Sequence, residues 1–187
     1  MKFKGIKKVH ESKFITRYDI EYETELGNKK TYEIVSRKKD LRTLEDVQNK
    51  SADAVVMIIT DEAGERILLN KEYRMAVGGW VYNFPAGLID PHESVYSAAV
   101  RELKEETGLT MTAISRLLPP SYSAVGISNE CTIVVFGTAT GQFQKSNSDV
   151  EEIIPGWYTK EEVLNLLQTE RFSSRTQAYC YSWAVKE

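Results

Sequence analysis

Residues 87–109, GLIDPHESVYSAAVRELKEETGL, set glutamates at 93, 102, 105 and 106 and an arginine at 101 around a run with no proline or glycine between Ser94 and Thr107. Ser94 is suited to cap a helix and Gly108 to stop one, so the spacing predicts a helix of about four turns. At about 100° per residue, Glu102 and Glu106 fall within roughly 20° of Val95, on the side that carries Ala98 and Ala99, and Glu105 lies roughly 60° from Glu102. Tyr96, Val100 and Leu103 form a bulkier apolar stripe predicted to pack on the core, with Ser97 and Lys104 as the polar back.

An acidic run of this kind is often a solvated helix face. Here the carboxylates border an apolar side, where clustered like charges repel and burial disfavours the ionised form. One lysine and one arginine cannot neutralise all of them, whereas a hard divalent cation with oxygen ligands can. Arg101 is better suited to hold a carboxylate in place by a bidentate contact than to meet substrate.

Gly87, Glu93, Arg101, Glu102, Leu103, Glu105, Glu106, Gly108 and Leu109 resemble, without a gap, the signature of the Nudix hydrolases. The signature is a glycine, five residues, a glutamate, seven residues, then Arg-Glu-aliphatic-x-Glu-Glu-x-Gly-aliphatic. The resemblance implies hydrolysis of a nucleoside diphosphate linked to another group, with Mg²⁺ or Mn²⁺ held by Glu102, Glu106, Glu105 and the Ala86 carbonyl. It also implies an α/β/α sandwich with a mixed central sheet.

The formal net charge of −3 over 187 residues gives no support for nonspecific binding to nucleic acid or a membrane surface, so an anionic substrate needs local arginines and a metal. Cys131 and Cys180 are the only cysteines, which excludes a disulfide framework and a zinc-site spacing. Both are predicted to be buried, and a cytoplasmic location is expected. Neither a secretion signal nor an apolar run near 18 residues appears.

Upstream, residues 14–25 alternate apolar with polar and Leu26-Gly27-Asn28 supplies turn chemistry before KKTYEIVSR, so a β-hairpin is predicted. Residues 40–47 read as an irregular link. We therefore divide the chain into a hairpin segment, 1–47, and a Nudix domain, 48–187. AVVMIIT at 54–60 is a buried central strand, and residues 65–70 pair back as its neighbour. The order of hairpin, TYEIVSR, core strand, KEYRMAVGGWVYNFPAGLID and signature resembles the ADP-ribose pyrophosphatase branch. By position that resemblance makes Tyr32 the base-stacking residue and Arg37 a phosphate contact; Arg74 is the matched arginine of KEYR, either a second anion contact or a structural ion pair. It also implies a homodimer. Where many relatives have a glutamate, this chain has Asn83, and where the branch has proline before Gly126, it has Val125.

Downstream, residues 111–118 and 132–138 read as strands. The acidic loop from Asp149 runs into another, and the resemblance assigns Glu152, with Glu151 as fallback, to help activate water. Glu105 is the other candidate base. Thr159 with Glu162 forms a capping box before a helix over 160–168, and a last helix covers about 174–185. The expected activity is hydrolysis of ADP-ribose or a related nucleoside diphosphate sugar. The alternatives are another nucleoside diphosphate derivative or a catalytically silent nucleotide-binding module.

Overall fold

The computed structural model describes residues 1–146 and 150–186; Asp149, where the acidic loop was expected to open, lies outside them. The chain divides into two compact units, Met1–Ala54 with Pro119–Ile133, and Val55–Leu118 with Val134–Glu187.

The first unit is built on an antiparallel sheet of β1 (Lys2–Glu11), β2 (Thr16–Glu23) and β3 (Lys29–Ser36), in the order β1-β2-β3. The predicted hairpin is β2–β3, turned at Gly27 with φ 80°. The alternation of β2 sends Tyr18 and Ile20 into a small core with Ile34 and Leu41. The Tyr18 hydroxyl donates to the Lys38 carbonyl at 3.0 Å and accepts from the Leu41 N–H at 3.3 Å, which ties the chain after β3 back to the sheet. Two sequence readings need correction here. β1 was not anticipated, because it is a lysine-rich edge strand whose alternation is broken by register shifts between Phe3 and Gly5 and between Lys8 and His10. The supposed irregular link holds a short helix, α1 (Leu44–Gln48), closed by a capping box between Thr43 and Asp46.

In the second unit a mixed sheet runs β11-β5-β4-β10-β8, where β4 is Ala54–Thr60, β5 Arg66–Arg74, β8 Thr110–Leu117, β10 Cys131–Thr140 and β11 Ile153–Thr159. Two further strands, β6 (Gly79–Asn83) and β7 (Ala86–Leu88), pair with β5 and β4; β9 (Ser121–Tyr122), in the first unit's Pro119–Ile133 stretch, pairs with Cys131 and Thr132 at the start of β10. Pro155 is tolerated in β11 because that strand lies at the end of the sheet order. β4 is buried along nearly its whole length, as a strand covered on both faces must be.

Side-chain alternation along β5 assigns the helices to faces. Ile67 and Leu69 pack with Val163 of α3 (Lys160–Thr169) and with Cys180 and Ala184 of α4 (Ser174–Ala184). Asn70 points the other way and meets Glu106 of α2 (Val95–Thr107). The result is the three-layered α/β/α arrangement predicted. Ser94 caps α2 by accepting from the Ser97 N–H, and Gly108, with φ 77°, ends it. One detail of α2 differs from the sequence reading: Leu103 is buried, but Tyr96 and Val100 are 58% and 36% exposed. The buried arc is centred on Ala98, Ala99, Leu103 and Glu106, so the small alanines lie in it and, of the bulkier stripe, only Leu103 does. Among the described residues no helix is long and apolar enough to cross a membrane.

Candidate active site

The site in the second unit begins with Arg101. Its Nε and Nη2 donate to the two oxygens of Glu93 at 3.0 and 2.8 Å, a bidentate grip on the loop before α2. Nη2 also donates to the Leu88 carbonyl at 3.0 Å, and Nη1 reaches Glu102 at 2.8 Å and Glu105 at 3.1 Å. One guanidinium thus organises three carboxylates rather than the single one anticipated. The Arg101 contact holds Glu93 down to about 2. Gly87 makes room for this arrangement, since a Cβ there would lie 1.9 Å from Glu102 Cδ.

Glu106 is handled differently. It is 8% exposed and accepts from Asn70 Nδ2 at 2.9 Å. The Ala86 N–H donates to it as well. Burial raises its pKa well above the ordinary range, and the negative charges of Glu72, Glu102 and Glu151 push the same way. Glu102 is raised by burial, against the pull of Arg101. Glu72, buried on β5, is also raised by burial, against a hydrogen bond of 2.8 Å from Asn83 Nδ2 and the nearby Arg74, whose Nη1 lies 3.6 Å away.

Among the described residues no three His, Cys, Asp or Glu side chains already form a cage for a metal ion. Arg101 accounts for part of this, because it draws Glu102 and Glu105 to itself. The donor set nevertheless fits a hard cation. Glu106 carries a repulsive field that only neutral donors touch, and Asn70 Oδ1 is buried with no hydrogen-bond partner. All the available atoms are hard oxygens, the preference of Mg²⁺ and Mn²⁺.

Glu105 is exposed, with a side chain 59% accessible. Glu152 is also exposed, and its carbonyl accepts from the Tyr73 N–H at 3.0 Å. The loop charge felt by Glu72, Glu102 and Glu106 is that of Glu151. Glu72 and Asn70 were not singled out in the sequence. Their signal there is a pair of polar residues two apart in RILLNKEYR, on one face of an otherwise apolar strand.

Tyr32 and Arg37 belong to the first unit. Tyr32 lines a cavity of about 270 Å³ with Ile20, Tyr22, Ile34, Tyr122 and Val125, and its hydroxyl donates to the Gly126 carbonyl at 2.6 Å. The wall is mostly apolar and aromatic, with Gln48, Ser128 and Asn129 as its polar part. Tyr122 is fixed by its own hydrogen bond to the Gln48 carbonyl. Arg37 is not in this wall; its Nε lies 2.5 Å from Glu130 Oε1.

Residues 50–179 match the family model of the NUDIX domain. An uncharacterized Nudix hydrolase of Schizosaccharomyces pombe is 25% identical over 90% of this chain and 80% of its own length. The ADP-sugar pyrophosphatase of Mus musculus is 33% identical over 71% of this chain and 59% of its own. The ADP compounds hydrolase NudE of Escherichia coli is 38% identical over 46% of this chain and 45% of its own. The chain thus spans less than two thirds of the mouse and bacterial relatives. A crystal structure of an ADP compounds hydrolase superposes with a TM-score of 0.74 at 21% identity, covering 98% of this chain and 92% of that one.

Proposed function

Because this chain belongs to the Nudix hydrolase family, we propose that it cleaves the pyrophosphate bond of ADP-ribose or a related nucleoside diphosphate sugar. The products are a nucleoside monophosphate and a sugar phosphate. The observation that carries this reading is the buried Glu106, pushed up by the charges of Glu72, Glu102 and Glu151, beside an arginine that grips Glu102 but not Glu106. The names of the mouse and bacterial relatives support an ADP moiety and leave the group attached to it open.

Glu102, Glu106, Glu105 and the Ala86 carbonyl would hold Mg²⁺ or Mn²⁺. When bound, the divalent cation neutralises pyrophosphate charge and makes water more acidic. Arg101 fixes Glu93, Glu102 and Glu105 in place before substrate arrives. Glu151 takes the proton of the attacking water. We prefer it to Glu152 because its charge is the one felt at the buried acids. Arg74 and Arg37 contact phosphate, and Tyr32 stacks on the base from residues 1–47, while residues 48–187 supply the hydrolytic groups. The two cysteines are unpaired and buried, which suits a reducing cytoplasm, and we expect the protein to work as a homodimer.

The test is incubation with Mg²⁺ and ADP-ribose, UDP-glucose, GDP-mannose, diadenosine polyphosphates or nucleoside triphosphates, with identification of products. We expect AMP and ribose phosphate from ADP-ribose at the highest kcat/KM. Turnover confined to another substrate would move the specificity. No turnover at all would favour a silent nucleotide-binding module.

A further inference from the structure

Asn70 is 1% exposed on β5, directly after the buried apolar residues Ile67, Leu68 and Leu69. Its Oδ1 has no hydrogen-bond partner. A buried acceptor left unmet is destabilising, so packing alone would be served better by valine at this strand position. What the amide does is donate through Nδ2 to Glu106 Oε2 at 2.9 Å. The Ala86 N–H of β7 donates to the same carboxylate, so Glu106 is held by donors from two strands.

Asn83 stands opposite Asn70 in the β5–β6 register and does for Glu72 what Asn70 does for Glu106, donating at 2.8 Å. Both holders are neutral. An amide orients a carboxylate without cancelling its charge, whereas the guanidinium of Arg101 both orients and neutralises Glu93. Glu106 thus differs from its neighbours: Glu72 also has Arg74 Nη1 at 3.6 Å and Glu102 is gripped by Arg101 at 2.8 Å, whereas the donors that hold Glu106 are neutral amides.

We propose that Asn70 is a positioning residue that holds the Glu106 carboxylate in the orientation a divalent cation requires. The assignment rests on the metal-dependent reading above, with Asn70 acting only through Glu106.

The test is Asn70→Val, measured first without substrate. Titration with Mn²⁺, followed by the electron paramagnetic resonance of the free ion, should show affinity weakened by about 10–100-fold, the usual effect of losing the partner of a metal ligand. The Mn²⁺ concentration for half-maximal activity should rise by the same factor, with KM for ADP-ribose at saturating metal within twofold of wild type. The metal-free melting temperature should hold or rise, because the unmet Oδ1 is gone. Wild-type affinity in Asn70→Val, with or without a lower melting temperature, overturns the assignment. If that variant does not fold, Asn70→Ser, which withdraws the donor from Glu106, is read in the same titration: weakened affinity supports the assignment and unchanged affinity overturns it. Wild-type protein that takes up no Mn²⁺ sinks the metal-dependent reading and this assignment with it.

Discussion

The two units treat polar groups in opposite ways. In the first, three polar side chains of the Tyr32 cavity are paired with backbone carbonyls: the Tyr32 hydroxyl with Gly126, the Tyr122 hydroxyl with Gln48 and the Asn129 amide with Val47. In the second, the buried Glu106 sits in the field of Glu72, Glu102 and Glu151. A cavity made by packing and satisfied hydrogen bonds is complete as folded. A cluster of buried like charges is not, and a counter-charge lowers its energy. Recognition and chemistry are therefore expected to fail separately when one unit is altered.

The largest effect should come from Glu106→Gln, which keeps the shape and removes the charge. Losing several kcal/mol of metal-dependent stabilisation lowers kcat by roughly 10³-fold, while KM for ADP-ribose changes by only a few-fold. The metal-free melting temperature should rise, since a repelled buried charge has been removed. Steady-state kinetics and calorimetry check both halves. Retained activity, or a KM that moves as much as kcat, would break the separation between the units.

Local signals carried much of this arrangement. The caps at Ser94 and Gly108, the Thr159–Glu162 box and the apolar run AVVMIIT each involve neighbours in sequence, and each has its predicted structure. The carboxylates on α2 were legible for the same reason, because helical spacing fixes their angles. What was not legible depends on partners distant in the chain. Asn70 meets Glu106 across 36 positions, and Tyr32 meets Gly126 across 94. β1 was hidden because none of its residues is fully buried and two register shifts break its alternation, and Tyr96 and Val100 misled because periodicity does not say which arc of an amphipathic helix docks.

The next effect tests the other unit. Tyr32→Ala removes the aromatic face and its hydrogen bond to Gly126. Stacking on a base is worth about 1–3 kcal/mol, so KM should rise roughly tenfold or more while kcat stays within twofold. Tyr32→Trp, with a larger ring, should lower KM. An unchanged KM in the alanine variant would move the base pocket elsewhere, and a fall in kcat of similar size would mean that the units are coupled after all.

The smallest effect is on stability, and it sharpens the contrast because its sign is set by the second unit. Glu93, held down to about 2 by Arg101, contributes stability that is present above its ordinary value of 4.5 and lost as pH falls through about 2. Glu72, Glu102 and Glu106 are raised by burial, so their contribution is fully present below 4.5 and lost as pH rises through their folded values. The metal-free protein should therefore melt highest near pH 4.5 and lose a few degrees toward pH 8, with about 2–4 °C per kcal/mol for a chain of this size. Saturating Mg²⁺ should flatten the high-pH limb, and Glu106→Gln should flatten it without metal. Glu93→Gln should leave that limb intact and remove part of the acid limb. A metal-free melting temperature that rises steadily from pH 5 to 8 would mean that the buried acids carry no unmet charge, and the difference between the two units would be one of composition alone.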